Sequence, residues 1–168
     1  KGEMNMLKFL NKKKKDNKGF SLVELIIVVA ILAILVGLLA PQYIKYVEKS
    51  RKSADASNLS EMVNAVQIYA ADAESSLPAG TYTITISKDS TEITGGTEEG
   101  LNAVKKAVAE TAPDYEHTKL KSSKWEDGKE NTSIVATIVV DNNGGTKVTY
   151  TPVKLENLIL SKPTTAEN

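Results

Sequence analysis

The sequence predicts an α+β protein: a long N-terminal α-helix whose back half packs on a small antiparallel β-sheet head. Three observations carry this. Residues 20–40 are apolar all round, with Glu24 as their one charge. Residues 41–75 place apolar side chains at helical spacing. Three short β-branched runs, broken by Gly-rich turns, follow.

The first element is a basic head. Residues 1–19 carry seven Lys against Glu3 and Asp16. A basic run before an apolar run is a targeting signal. The chain opens Lys-Gly-Glu before Met4 and Met6. Those three codons can contain a purine-rich ribosome-binding sequence, so Met4 or Met6 is the expected true start. The apolar run is the second element. At 1.5 Å per residue it spans roughly 30 Å, one hydrocarbon core. The basic side should stay cytoplasmic and the C-terminal body should be translocated. A secretory signal peptide or signal anchor has this pattern too. However, no A-x-A-like site closes the run; Pro41 and an amphipathic stretch continue the helix.

That stretch is the third element. Leu59, Met62, Val63, Val66, Tyr69, Ala70 and Ala73 follow i, i+3, i+4, i+7 spacing. Lys45, Lys49, Lys52, Asp55, Asn58, Glu61 and Asp72 fall mostly off that face. Residues 22–75 are expected to form one helix. Pro41 lacks an N–H and crowds the preceding turn, so a bend or melted stretch is expected between Gly37 and Pro41. Pro78-Ala79-Gly80 ends the helical region.

In the head, residues 81–87 alternate as a strand, and Gly95-Gly96 breaks the chain. Thr97 is the expected cap of a helix over 98–111, with Leu101, Val104, Ala107 and Val108 on one face. Residues 118–124 are a possible strand. Residues 133–141 and 146–151 are strands joined by the turn Asn142-Asn143-Gly144-Gly145. Residues 153–160 read as strand or short helix.

Composition narrows the function. The 168-residue chain has a formal net charge of zero, no Cys and one His, His117. The zero hides a +5 head and a −5 body, which argues against a nucleic-acid binder. Disulfides, thiolate zinc sites and Cys nucleophiles are excluded, and acid–base enzymology is disfavoured. No cofactor or metal is expected. Acidic residues Asp114, Glu116, Glu126, Asp127 and Glu130 suggest a solvated loop before a calcium site. Asn131-Thr132-Ser133 fits an N-glycosylation pattern. His117 is expected at the surface, and Trp125 as a packing anchor or a ligand-stacking residue.

Glu24 is the costly residue. A charge at a membrane-helix centre costs ~2.5–3.5 kcal/mol, although near the interface snorkelling relieves part of it. It is either an interfacial carboxylate without a role or one with a partner. Were the chain cut after Gly19, Phe20 would supply an α-amine one helical turn away.

The segment Gly19-Phe20-Ser21-Leu22-Val23-Glu24-Leu25, with Lys18 before it and the apolar run after it, resembles the class III signal of type IV prepilins. The likeness covers about residues 12–46, including Pro41, Tyr43 and Tyr46. It implies cleavage between Gly19 and Phe20 by a prepilin peptidase and N-methylation of Phe20. It also implies assembly through Phe20 and Glu24 into a homo-oligomeric helical filament. The division would be a cleaved leader at 1–19, a membrane and filament-core half-helix at 20–45, and a head at 46–168. The implied partners are copies of itself, the peptidase and N-methyltransferase, the assembly machinery and the cytoplasmic membrane. The implied role is a type IVa-like pilus subunit at the cell surface, not an enzyme. A pseudopilin of a secretion or DNA-uptake system shares the motif. A membrane-anchored ligand-binding module is the alternative of another class. Many Gram-negative pilins close a C-terminal loop with a disulfide; the absence of Cys and twenty Lys against one Arg lean towards a Gram-positive source.

Overall fold

The computed structural model describes residues 19–72, 77–125 and 133–160. Helix α1 runs Leu22–Ala71 with Pro41 inside it. Strand β1 (Gly80–Ser87) and strand β2 (Thr91–Gly95) follow. Helix α2 spans Glu98–Thr111, and a 3₁₀ turn spans Tyr115–His117. Strands β3 (Ser133–Val140) and β4 (Thr146–Thr151) and helix α3 (Val153–Leu160) complete the chain. The strands form one antiparallel sheet in the order β2-β1-β3-β4. This is the expected long helix with a small antiparallel sheet. The chain divides into two compact units, Lys1–Tyr43 and Ile44–Asn168.

The core of the second unit follows from two periodicities. On β1, Tyr82, Ile84 and Ile86 alternate inward, paired in register with Ile138, Ala136 and Ile134 of β3. The back half of α1 lays Ala56, Leu59, Met62, Val63, Val66 and Ala70 into the same cluster. From α2 come Val104 and Val108, and from α3 Leu155. The Thr97 hydroxyl caps α2 by accepting from the Gly100 amide at 3.2 Å. The glycines before α2 are needed by the fold: Gly96 has φ +66°, and a β-carbon there would run into the ring of buried Tyr82. The Tyr82 hydroxyl itself donates to the Pro78 carbonyl at 2.8 Å.

Several expectations change. The described part of α1 stops at Ala71; Ala73 and Ser75 lie outside the described residues. Residues 91–95 form a strand, because the Ser87 hydroxyl accepts from the Asp89 and Ser90 amides and turns the chain back tightly. Residues 118–124 are not a strand. Leu120 gives one amide bond to the Ser87 carbonyl, and the chain then turns onto α1. The β3–β4 turn includes Asp141, whose carboxylate accepts from the Asn143 and Gly145 amides at 2.8 Å each. Residues 153–160 are helical. Glu126, Asp127, Gly128, Glu130, Asn131 and Thr132 lie outside the described residues.

The largest correction is Asp55, which is 1 % exposed rather than off the packed face. Its carboxylate accepts from the Lys121 amide at 2.8 Å and the Ser122 amide at 2.9 Å. Beside it, the Ser122 hydroxyl donates to Glu48. Trp125, 1 % exposed, anchors the same loop; its indole N–H faces Asp55 without good hydrogen-bond geometry. Burial pushes the Asp55 carboxyl above its usual range, against the opposing pull of the two amides, Trp125 and Lys121. Replacing Asp55 with alanine is expected to destabilise the head by about 2–4 kcal/mol, because the buried Ser122 amide and the part-buried Lys121 amide lose their acceptor. Urea unfolding measures it. The folded carboxyl binds its proton more tightly than the unfolded one. Asp55 therefore contributes most below its unfolded pKa of 3.8, and loses that contribution as pH rises through the folded value. The stability gap between wild type and Asp55→Asn should narrow as pH rises through that window.

The second unit holds its own core. A chain starting at Tyr46 should therefore be soluble, monomeric and folded. Circular dichroism and sedimentation check this; an insoluble or unfolded product would place residues before Tyr46 in the core.

Candidate processing and assembly site

Gly19, Phe20 and Ser21 precede α1 in non-helical conformation. Helix entry is set by four residues, Ser21-Leu22-Val23-Glu24. The Ser21 hydroxyl accepts from the Val23 amide at 3.3 Å, and Glu24 Oε2 accepts from the Ser21 amide at 2.8 Å. The Ser21 carbonyl accepts the first helical bond, from Leu25 at 3.1 Å. This is a variant of the capping box: Glu24 satisfies the Ser21 amide, while the Ser21 hydroxyl takes the amide of Val23 instead of that of Glu24. The sequence signal is S-x-x-E, and it gives Glu24 a local role besides its charge. The box also holds the carboxylate one residue from the Phe20 nitrogen.

Phe20 is 89 % exposed. Beyond its chain neighbours, a β-carbon at Gly19 meets no described residue within 4 Å, and the same holds at Gly37. Among the described residues, none gives a reason for glycine at 19. Residues 37–41 are helical within α1. From Leu22 to Leu39 the large apolar side chains are exposed around the whole helix, and no residue in its most apolar stretch is buried. The stretch has a mean hydropathy of 3.2 and is long enough to cross a membrane. Exposed apolar area on this scale is not stable in water, at roughly 25 cal/mol per Å².

Elsewhere, His117 is exposed and sits 2.7 Å from Asp114. An open groove of about 780 Å³ runs beside the back half of α1, lined among others by Ser57, Asn64, Ile68, Leu158 and Ile159.

Residues 14–40 match the family model described as the prokaryotic N-terminal methylation motif. The chain thus carries an N-terminal segment of the kind found in type IV pilin-like prepilins with a class III signal peptide. Pilin-like and pseudopilin-like proteins are structural subunits, and the motif implies membrane anchoring and peptidase processing. Nothing in the match supports the Gram-positive inference. No curated protein and no solved structure matches the chain.

Proposed function

We propose that this protein is the structural subunit of a type IV pilus. The observation that carries the reading is the uncovered apolar half of α1, directly after the methylation motif. A discarded signal peptide needs no capping box and no continuous helix into a folded head; a retained filament core uses both. The peptidase cuts between Gly19 and Phe20, and the new Phe20 amine is methylated. The leader is residues 1–19, the membrane and filament-core half-helix 20–45, and the head 46–168. The subunit waits in the cytoplasmic membrane and is then drawn into a surface filament by the assembly machinery. In the filament, the Phe20 amine of one copy meets Glu24 of its neighbour, and Gly37 and Pro41 let the helix bend. Adhesion, aggregation or twitching motility would follow at filament level. Shearing cells and identifying the subunit in the released filaments tests this. Retention in the envelope, with filaments forming without it, would favour a pseudopilin or a membrane-anchored binding module using the groove beside α1.

A further inference from the structure

Four lysines meet at one place just beyond the apolar half of α1. Lys45, Lys49 and Lys52 stand at i, i+4 and i+7, on one helix face. Lys124 joins them from the loop that Asp55 clasps to the helix, and the four, with Ile44 and Glu48, line an open cleft of about 400 Å³. Lys52 Nζ lies 5.7 Å above the centre of the Trp125 ring, which helps fix its position. Among the described residues, none of the four lysines forms an ion pair with a carboxylate. Glu48 is engaged by Arg51 at 3.9 Å and by the Ser122 hydroxyl. Like charges at this spacing repel, yet the clasp brings a fourth one in from the far side of the sequence. Such an arrangement suits an anion.

The sequence position says which anion. At 1.5 Å per residue, Lys45 comes roughly 35 Å after Leu22 along the helix, just past a hydrocarbon core of about 30 Å. Tyr43 and Tyr46, both exposed, flank it as interfacial aromatics do. Lysine stems can reach back along the helix towards the interface. We propose that this cleft binds the phosphate of an anionic phospholipid in the extracytoplasmic leaflet, with Ile44 against the lipid's apolar part. The contact holds the unassembled subunit in the membrane and must be given up on entry into the filament. The inference rests on the membrane-held subunit proposed above.

The test uses the processed chain, residues 20–168, so that the basic leader is absent. It is reconstituted in vesicles of phosphatidylcholine with and without phosphatidylglycerol. After extraction in mild detergent, native mass spectrometry counts the lipids retained. Each lysine near an anionic surface contributes about fivefold in affinity, so phosphatidylglycerol should be kept at least roughly tenfold over phosphatidylcholine. The combined variant Lys45→Gln, Lys49→Gln, Lys52→Gln, Lys124→Gln should lose that preference. The control Lys105→Gln, Lys106→Gln, Lys147→Gln should keep it. Equal retention of both lipids, or a preference that survives in the four-lysine variant, overturns the inference. Unchanged lipid preference with lost filaments would assign the cleft to a neighbouring subunit and overturn it too. Alkaline extraction separates the two readings: a chain that leaves the vesicles overturns both, while one that stays without lipid preference overturns the cleft alone.

Discussion

Replacing Glu24 with alanine should leave the subunit in the membrane at its normal level and remove the surface filaments. The head contains no part of the site, and its buried residues begin at Asp55. In the proposed filament, however, the apolar halves of neighbouring helices would exclude water around residue 24. Removing one partner of a buried ion pair costs about 3–5 kcal/mol, and each 1.4 kcal/mol is tenfold. Filament yield should fall to roughly a hundredth or less on that scale. Two effects are mixed in this variant, since Glu24 also closes the capping box with Ser21. Glu24→Gln separates them. A glutamine oxygen still accepts from the Ser21 amide, as capping boxes with Gln do, but it carries no charge. Failure of both variants assigns the defect to the lost charge. Normal filaments in Glu24→Gln would make Glu24 a helix cap and nothing more. Electron microscopy of sheared material, beside an immunoblot of membranes, reads the outcome.

Gly19→Val should stop maturation. Beyond the chain neighbours, no described residue lies within 4 Å of a β-carbon at residue 19, so the substitution leaves the described fold undisturbed. In the proposed cleavage, the peptidase must align the carbonyl of residue 19, and a branched side chain there would displace it. A misplacement of about 1 Å costs roughly 100-fold in rate. The precursor should accumulate in the membrane and filaments should disappear. Efficient processing of the valine variant would remove Gly19 from the cleavage site.

Local signals explain what the sequence disclosed. The helix, the β1, β3 and β4 strands and the Thr97 cap all rest on spacings within a few residues. The Gly19–Glu24 motif is equally local, and the S-x-x-E signal lies within it. Asp55 was not readable. Its amide partners lie 66 and 67 residues away, and a carboxylate in a polar helix face looks solvated until a loop closes over it. The lysine cleft was hidden for the same reason, since Lys124 reaches it only through that clasp. Strand β2 has one inward apolar residue, Ile93, and buried Thr91 takes an inward place by donating to the Thr118 carbonyl at 2.7 Å. A hydroxyl in a core position leaves no hydrophobic alternation to find.

The account stands on a retained apolar helix that begins at Phe20. Intact-mass measurement of the subunit from sheared surface filaments tests this most directly. The expected mass is that of residues 20–168, the 168-residue chain less its first 19, with one added methyl group on the Phe20 nitrogen. A mature N-terminus downstream of Ala40 would show that the apolar run is discarded as an ordinary signal peptide, and would contradict the account.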